Sequence, residues 1–160
     1  MRPLGVVVIA VFMFVVGIIS VVGGIFLFAM KSVLAKFLIE EYSDAIREML
    51  NQSGIVLEVN KEILEGIILT SSYLAIFIGS AYLIAGFGLW KLKEWGRIAT
   101  IIISGINVVY GLFIVFIDPL ASFEIALNVV IIWYLMRRNV RERFVRKISI
   151  EERILGDQNP

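Results

Sequence analysis

The sequence predicts an all-α integral membrane protein. It is expected to form a four-helix bundle, N-in and C-in, with an amphipathic outer helix in the first loop. Three observations carry that prediction. Four apolar stretches make up more than half of the chain. Only one ionisable side chain, Glu124, lies well inside any of them. The basic residues also divide unevenly between the two sides of the resulting topology. With 59% hydrophobic residues and a mean hydropathy of +0.91, a soluble reading is not credible.

A bilayer core about 30 Å thick takes about 20 apolar residues in a helix. Residues 4–30, 66–90, 98–117 and 120–136 supply 27, 25, 20 and 17. The first two have length to spare for tilt, and the fourth is short, with Pro119 placed as a first-turn residue. The first stretch follows Arg2 and imitates a secretory signal. Its apolar run is too long for a signal core, and residues 28–30 make a poor cleavage site, so it is read as a retained span. Residues 1–136 then form the membrane domain and 137–160 a basic tail.

Span one carries Ala10, Gly17 and Gly24 seven apart, with Ser20 four before Gly24. Span two is rich in small residues, Gly79 among them. Small residues let helix backbones approach closely, so these positions are expected to pack helices within the bundle; a homo-oligomer interface is the sharper alternative.

The loop over residues 31–65 holds a second helical pattern. Val33/Leu34, Phe37/Leu38, Ala45/Ile46 and Met49/Leu50 form apolar pairs, while Lys36, Glu40, Asp44 and Glu48 line the opposite stripe. Ser53 and Gly54 offer a stop, and Asn60 an N-cap for span two, with Val59 and Leu64 as its hydrophobic staple. Acids spaced four apart on a helix do not surround a calcium ion, so they are read as a solvated face. The apolar face needs a cover, either the bilayer, the bundle or a partner.

Spans three and four are antiparallel neighbours. Counting 1.5 Å per residue from their charged ends puts Asn107 and Asn128 both roughly 13 Å deep, near the mid-plane. Ser80 reaches a similar depth in span two, and Glu124 lies one turn from Asn128, level with Tyr110. This predicts a polar seam of Ser80, Asn107, Tyr110, Glu124 and Asn128. Asparagines in spans commonly serve as interhelical glue. A carboxylate there is costly and marks proton or cation handling by default, although nearby Pro119 brings Glu124 within reach of water.

Orientation follows from charge. Arg2, Lys91, Lys93, Arg97 and seven basic residues of the tail make eleven on one side; Lys31, Lys36, Arg47 and Lys61 oppose them, beside seven acids from Glu40 to Glu65. Basic residues stay cytoplasmic, so both termini are assigned to the cytoplasmic face of the plasma membrane. Trp90, Trp95, Trp133 and Tyr134 fall at that face as an aromatic belt. In the tail, Arg137, Arg138, Arg141, Arg143, Arg146 and Lys147 accompany Val140, Phe144 and Ile148 four apart, a basic amphipathic helix suited to anionic lipid rather than nucleic acid. Ser149 to Glu152 matches a capping box for one more short helix.

Residues Gly88-Leu-Trp-x5-Gly-Arg97, followed by Asn107, Trp133-Tyr-Leu135 and Val140 with Phe144, carry a resemblance. Over roughly residues 80–145 the chain resembles small four-span archaeal and bacterial membrane proteins of unknown function, a group that implies no catalytic residues. The long loop after span one is similar in topology to claudins and tetraspanins, without their disulfides, since the chain has no cysteine.

The chain also has no histidine, so thiol chemistry, a serine–histidine protease and the usual zinc, haem or copper ligand sets have no residues to use. No cofactor or metal is expected. With no nucleophile–base pair or phosphate loop, an enzyme is the third choice. The first is a non-enzymatic interaction or assembly factor whose partners are lipid, another membrane protein or a second copy. The alternative is a small homo-oligomeric channel or transporter built on the seam around Glu124, Asn128 and Asn107.

Overall fold

The computed structural model describes the backbone of residues 3–52 and 61–144 and the side chains of 3–41 and 61–144. Four helices follow one another: α1 (Leu4–Gln52), α2 (Lys61–Trp90), α3 (Glu94–Ile114) and α4 (Ala121–Met136). A short helical run over 138–144 follows, and no strand occurs among the described residues. The helices α2, α3 and the part of α1 over Leu4–Glu41 are each long and apolar enough to cross a membrane. Those three helices suggest a membrane protein. At 16 residues α4 is apolar but rises only about 24 Å.

The main departure from the sequence reading lies in the first loop. Residues 31–52 are not a separate outer helix; α1 runs unbroken for 49 residues. The cause is local. No proline follows Pro3 until Pro119 and no glycine lies between Gly24 and Gly54, so nothing stops the helix at the charged boundary. At 1.5 Å per residue it is about 74 Å long, more than twice a bilayer core. Of the apolar pairs within the described side chains, Val33 and Phe37 are exposed and Leu34 and Leu38 half-buried, with Ala35 buried between them; the pairs Ala45/Ile46 and Met49/Leu50 lie outside the described side chains. Ser53 and Gly54, the expected stop, and Asn60 and Val59, the expected cap and half of the staple of α2, lie outside the described residues, as does the capping box at 149–152; Leu64, the other half of the staple, is buried.

The chain divides into two compact units, Ile18–Ser80 and Met1–Gly17 with Ala81–Pro160. In the unit over Ile18–Ser80, α1 and α2 run antiparallel. Gly24 is buried, and a Cβ there would stand 2.7 Å from the Ile76 side chain and 2.9 Å from the Ser72 carbonyl oxygen. Phe28 meets Tyr73 with ring centroids 6.0 Å apart, and a hydrogen bond joins Ser32 to the Glu65 carboxylate.

In the other unit the core is Val6, Ile9, Ala10, Met13, Ala85, Leu89, Ile131, Leu135, Val140 and Phe144. Gly86 lies against Ala10 and Met13, again an antiparallel pairing of α1 with α2 through small residues. Residues 137–144 belong with this unit, because Val140 and Phe144 are 5% and 0% exposed within its core.

The sharpest piece of local chemistry is the turn from α2 to α3. Leu92 has φ 54°, in the left-handed region. Its N–H donates to the Leu89 carbonyl at 2.9 Å, and the Lys93 N–H donates to Gly88 at 2.9 Å. This pair of bonds is a Schellman cap with leucine in the place usually taken by glycine. It folds α3 back so tightly that Gly88 and Gly96 touch backbone to backbone. A Cβ on Gly88 would stand 2.6 Å from the Gly96 Cα, and one on Gly96 would stand 2.6 Å from the Leu89 nitrogen. At the far end, α3 stops at Ile114. The Asp118 carboxylate accepts from the Leu120 N–H at 2.9 Å and Pro119 disfavours helix in the residue before it, so 115–120 form turns where span three was expected to continue to 117.

Substitutions at two positions test the turn. Gly96→Ala forces the two backbones apart and is expected to destabilise the protein by about 1–3 kcal/mol. Leu92→Gly removes the left-handed penalty while Leu92→Ala keeps it, so the glycine variant should be the more stable by about 1 kcal/mol, reversing the usual helical order. Unfolding midpoints in mild detergent, compared across the three variants, give both answers.

Candidate functional site

The polar side chains within the apolar helices gather on one face of α3. The buried residues of that helix are Gly96, Arg97, Thr100, Ser104 and Gly111, all small or polar. Most of its large apolar residues point the other way: Ile98, Ile102, Ile106, Val109, Leu112 and Phe113 are all exposed, while Ile101 and Ile103 flank the buried side. A helix in water buries its apolar stripe. A helix in lipid gains nothing by hiding isoleucine, and packs its small and polar groups inward. In this helix the sequence reading names Asn107 and Tyr110 and misses the wider face, which the spacing of residues 96, 100, 104, 107 and 111 marks.

Three helices meet through side-chain hydrogen bonds on this face. The Asn107 side-chain amide donates to the Tyr82 hydroxyl of α2. The same Nδ2 lies 3.5 Å from Oδ1 of Asn128 on α4. Asn128 is 5% exposed and donates to the Glu124 carbonyl at 2.9 Å. The result is a relay of polar groups, Tyr82–Asn107–Asn128, that ends on the α4 backbone. Tyr82 was not among the predicted residues. Counting depth finds it: it lies eight residues from Trp90, nearly level with Asn107 and Asn128.

The other predicted seam residues sit elsewhere. Tyr110 is 65% exposed, turned away while its neighbour Gly111 packs against Ile125. The Ser80 hydroxyl donates to the Ile76 carbonyl of its own helix at 2.7 Å. Glu124 is exposed and lies in the first turn of α4, not deep within a span. An acid there complements the helix dipole. Of the residues expected to pack helices, Ala10, Gly17, Gly24 and Gly79 are buried and Ser20 is half-buried.

A second polar cluster lies near the α2–α3 turn. The side chain of Arg97 is only 10% exposed and forms an ion pair with Glu94 through two hydrogen bonds, one at 3.0 Å from Nε. Its Nη1 donates to the Leu135 carbonyl at 3.3 Å, serving one of the last backbone acceptors of α4. Thr100 donates to Gly96 at 2.9 Å. The segment Gly88 to Arg97 is therefore a clasp. Its two glycines touch, Leu89 is buried, and its arginine ties α3 to α4. Gly5 joins the same end, since a Cβ there would collide with the Tyr134 ring.

Beyond Met136, Arg137 has ψ 135° and breaks the helix, and its guanidinium lies 4.7 Å over the Trp133 ring. Arg138 pairs with Glu142 at 2.9 Å, and Arg141 and Arg143 are exposed. Arg146, Lys147 and Ile148 lie outside the described residues. No group of three or more metal-ligating side chains occurs among the described residues.

Comparison with known proteins bears on residues 43–140, which match the model of a family described as Domain of unknown function (DUF7144). The match covers more than half of the chain, and the protein belongs to that family. It takes in the clasp, the Tyr82–Asn107–Asn128 relay and all of α4. No curated protein and no solved structure matches the chain.

The relay predicts unequal costs. Asn107→Ala should destabilise the protein by about 1–2 kcal/mol and Ser80→Ala by much less, since that hydroxyl crosses to no other helix. A double-mutant cycle of Tyr82→Phe with Asn107→Ala should return a coupling of roughly 0.5–1.5 kcal/mol, measured by reversible unfolding in detergent micelles.

Proposed function

We propose that this protein is a non-enzymatic, multi-pass membrane protein that works as an interaction or assembly factor through helix–helix and loop contacts. The observation that carries the reading is the pairing of its intramembrane polar groups with one another. Among the described residues no buried side-chain nitrogen or oxygen lacks a hydrogen-bond partner. A relay that joins three helices has its capacity committed to holding them, whereas a conduction path needs polar groups turned toward a passing ion. The long α1 supports the same reading. It carries helix well past the length a bilayer requires, with Val33 and Phe37 exposed on it, and so offers contact surface beyond the lipid.

The proposal has α4 complete a fourth crossing, helped by the turns over 115–120. It keeps both termini in the cytoplasm at the plasma membrane, on the strength of the basic residues around Lys91, Lys93 and Arg137 to Arg143. It assigns no cofactor, metal or nucleic acid, and takes lipid, another membrane protein or a second copy as partners. The resemblance to archaeal small four-span proteins belongs to this proposal, with the likeness to claudins and tetraspanins a matter of topology alone.

A second reading is favoured by one observation, the exposed carboxylate of Glu124 in the first turn of α4. A homo-oligomer that turned Glu124 toward its axis would have an acidic ring of the kind cation channels use. Gentle purification followed by mass measurement of the detergent-corrected particle separates the two. The assembly reading expects a monomer, a pair of copies or a stoichiometric complex with another membrane protein, and Glu124→Gln to leave its mass unchanged. A closed ring of identical subunits whose ion flux is abolished by Glu124→Gln would overturn it.

A further inference from the structure

The end of α4 carries a site that the assembly reading does not use. A free amphipathic helix binds a membrane by pushing its apolar face among the acyl chains. The run over 138–144 has no such face to offer, because Val140 and Phe144 are already buried in the protein core. Docking those two residues fixes the backbone of the run, and with it the direction in which its arginines stand. Arg137 and Arg141 are exposed and one turn apart, joined by the Arg141 N–H to the Arg137 carbonyl at 3.0 Å. Arg137 stacks on Trp133, which is 60% exposed on an apolar helix. Exposed tryptophan on such a helix stands at headgroup level. A guanidinium held there presents its donors to whatever anion occupies the headgroup layer.

We propose that Trp133, Arg137 and Arg141 form a fixed binding site for the phosphate of an anionic phospholipid in the leaflet facing this end of the bundle. The site engages the headgroup by charge and hydrogen bonding, with no insertion of the tail. Arg138 lies outside it, paired with Glu142. The inference rests on the membrane reading of the helices and stands apart from the assembly role.

The test uses the full-length chain in nanodiscs of phosphatidylcholine alone or mixed with phosphatidylglycerol, with thermal unfolding as the readout. The anionic lipid should raise the midpoint by about 2–4 °C, as expected for a ligand that binds the folded state. Added salt should erase the rise, and inorganic phosphate added to phosphatidylcholine discs should not reproduce it. The double variant Arg137→Gln with Arg141→Gln should lose the rise, while Arg138→Gln with Glu142→Gln, which removes a neighbouring pair without changing net charge, should keep it. As a readout independent of stability, headgroup-proximal brominated phosphatidylglycerol should quench Trp133 fluorescence more strongly than brominated phosphatidylcholine, with the difference lost in Trp133→Phe. The proposal is overturned by an equal rise in the double arginine variant, by an equal effect of free phosphate, or by no rise at all. It is also overturned by quenching that does not depend on headgroup charge.

Discussion

Inside hydrocarbon a polar group has no water to fall back on, and that constraint organises this protein. α3 meets it by turning inside out. Its buried side is glycine, threonine, serine and arginine, and its exposed side is isoleucine, valine and phenylalanine. Once that face is inward, other features of this unit follow. Asn107 meets Tyr82 and Asn128, so α2 and α4 are tied to α3 at one depth. Gly111 admits Ile125 at one end of the face, and Gly96 admits Gly88 at the other.

The clasp at residues 88–97 shows how a short segment can hold three helix ends. The α2–α3 turn is closed by two capping hydrogen bonds and a left-handed leucine, at a cost that the glycine–glycine contact and the buried side chains offset. Arg97 then carries the connection to α4. A buried ion pair is weak evidence for stability in itself, because the desolvation of both charges opposes their attraction. Its value here is geometric. The guanidinium reaches a backbone carbonyl at the end of another helix, which orients α4 just where the chain breaks at Arg137 and the tail run folds back into the core.

Much of this was legible from residues alone, and the failures have physical causes. Apolar length located the helices because lipid imposes a length. Depth counting brought Asn107 and Asn128 together because α3 and α4 are antiparallel and their charged ends set a common zero. The same counting reaches Tyr82, which the predicted seam leaves out. Tyr110 and Ser80 show the opposite limit. Depth gives height along a helix but not the angle around it, and both residues turn away from the relay. Glu124 stands one turn from Asn128, in the exposed first turn of α4, and meets the relay through its backbone carbonyl alone. The sequence reading ends span one at Met30, where the apolar run ends, and begins a second helical pattern after it. A charge ends a hydrocarbon crossing; ending a helix takes glycine, proline or a competing cap, and none stands there.

The inward polar face of α3 is the claim on which the relay, the clasp and the membrane reading all depend. The chain has no cysteine, so single cysteines can be placed along residues 98–113 without background. Spin labels at those positions in lipid bilayers report collision with oxygen, which concentrates in hydrocarbon, and with a water-soluble nickel chelate. Oxygen access should peak at Ile98, Ile102, Ile106, Val109 and Phe113 and fall at Thr100, Ser104 and Gly111, with little nickel access at either set near the mid-plane. Oxygen maxima at residues 100, 104 and 111, or nickel access along the isoleucine face, would contradict the account.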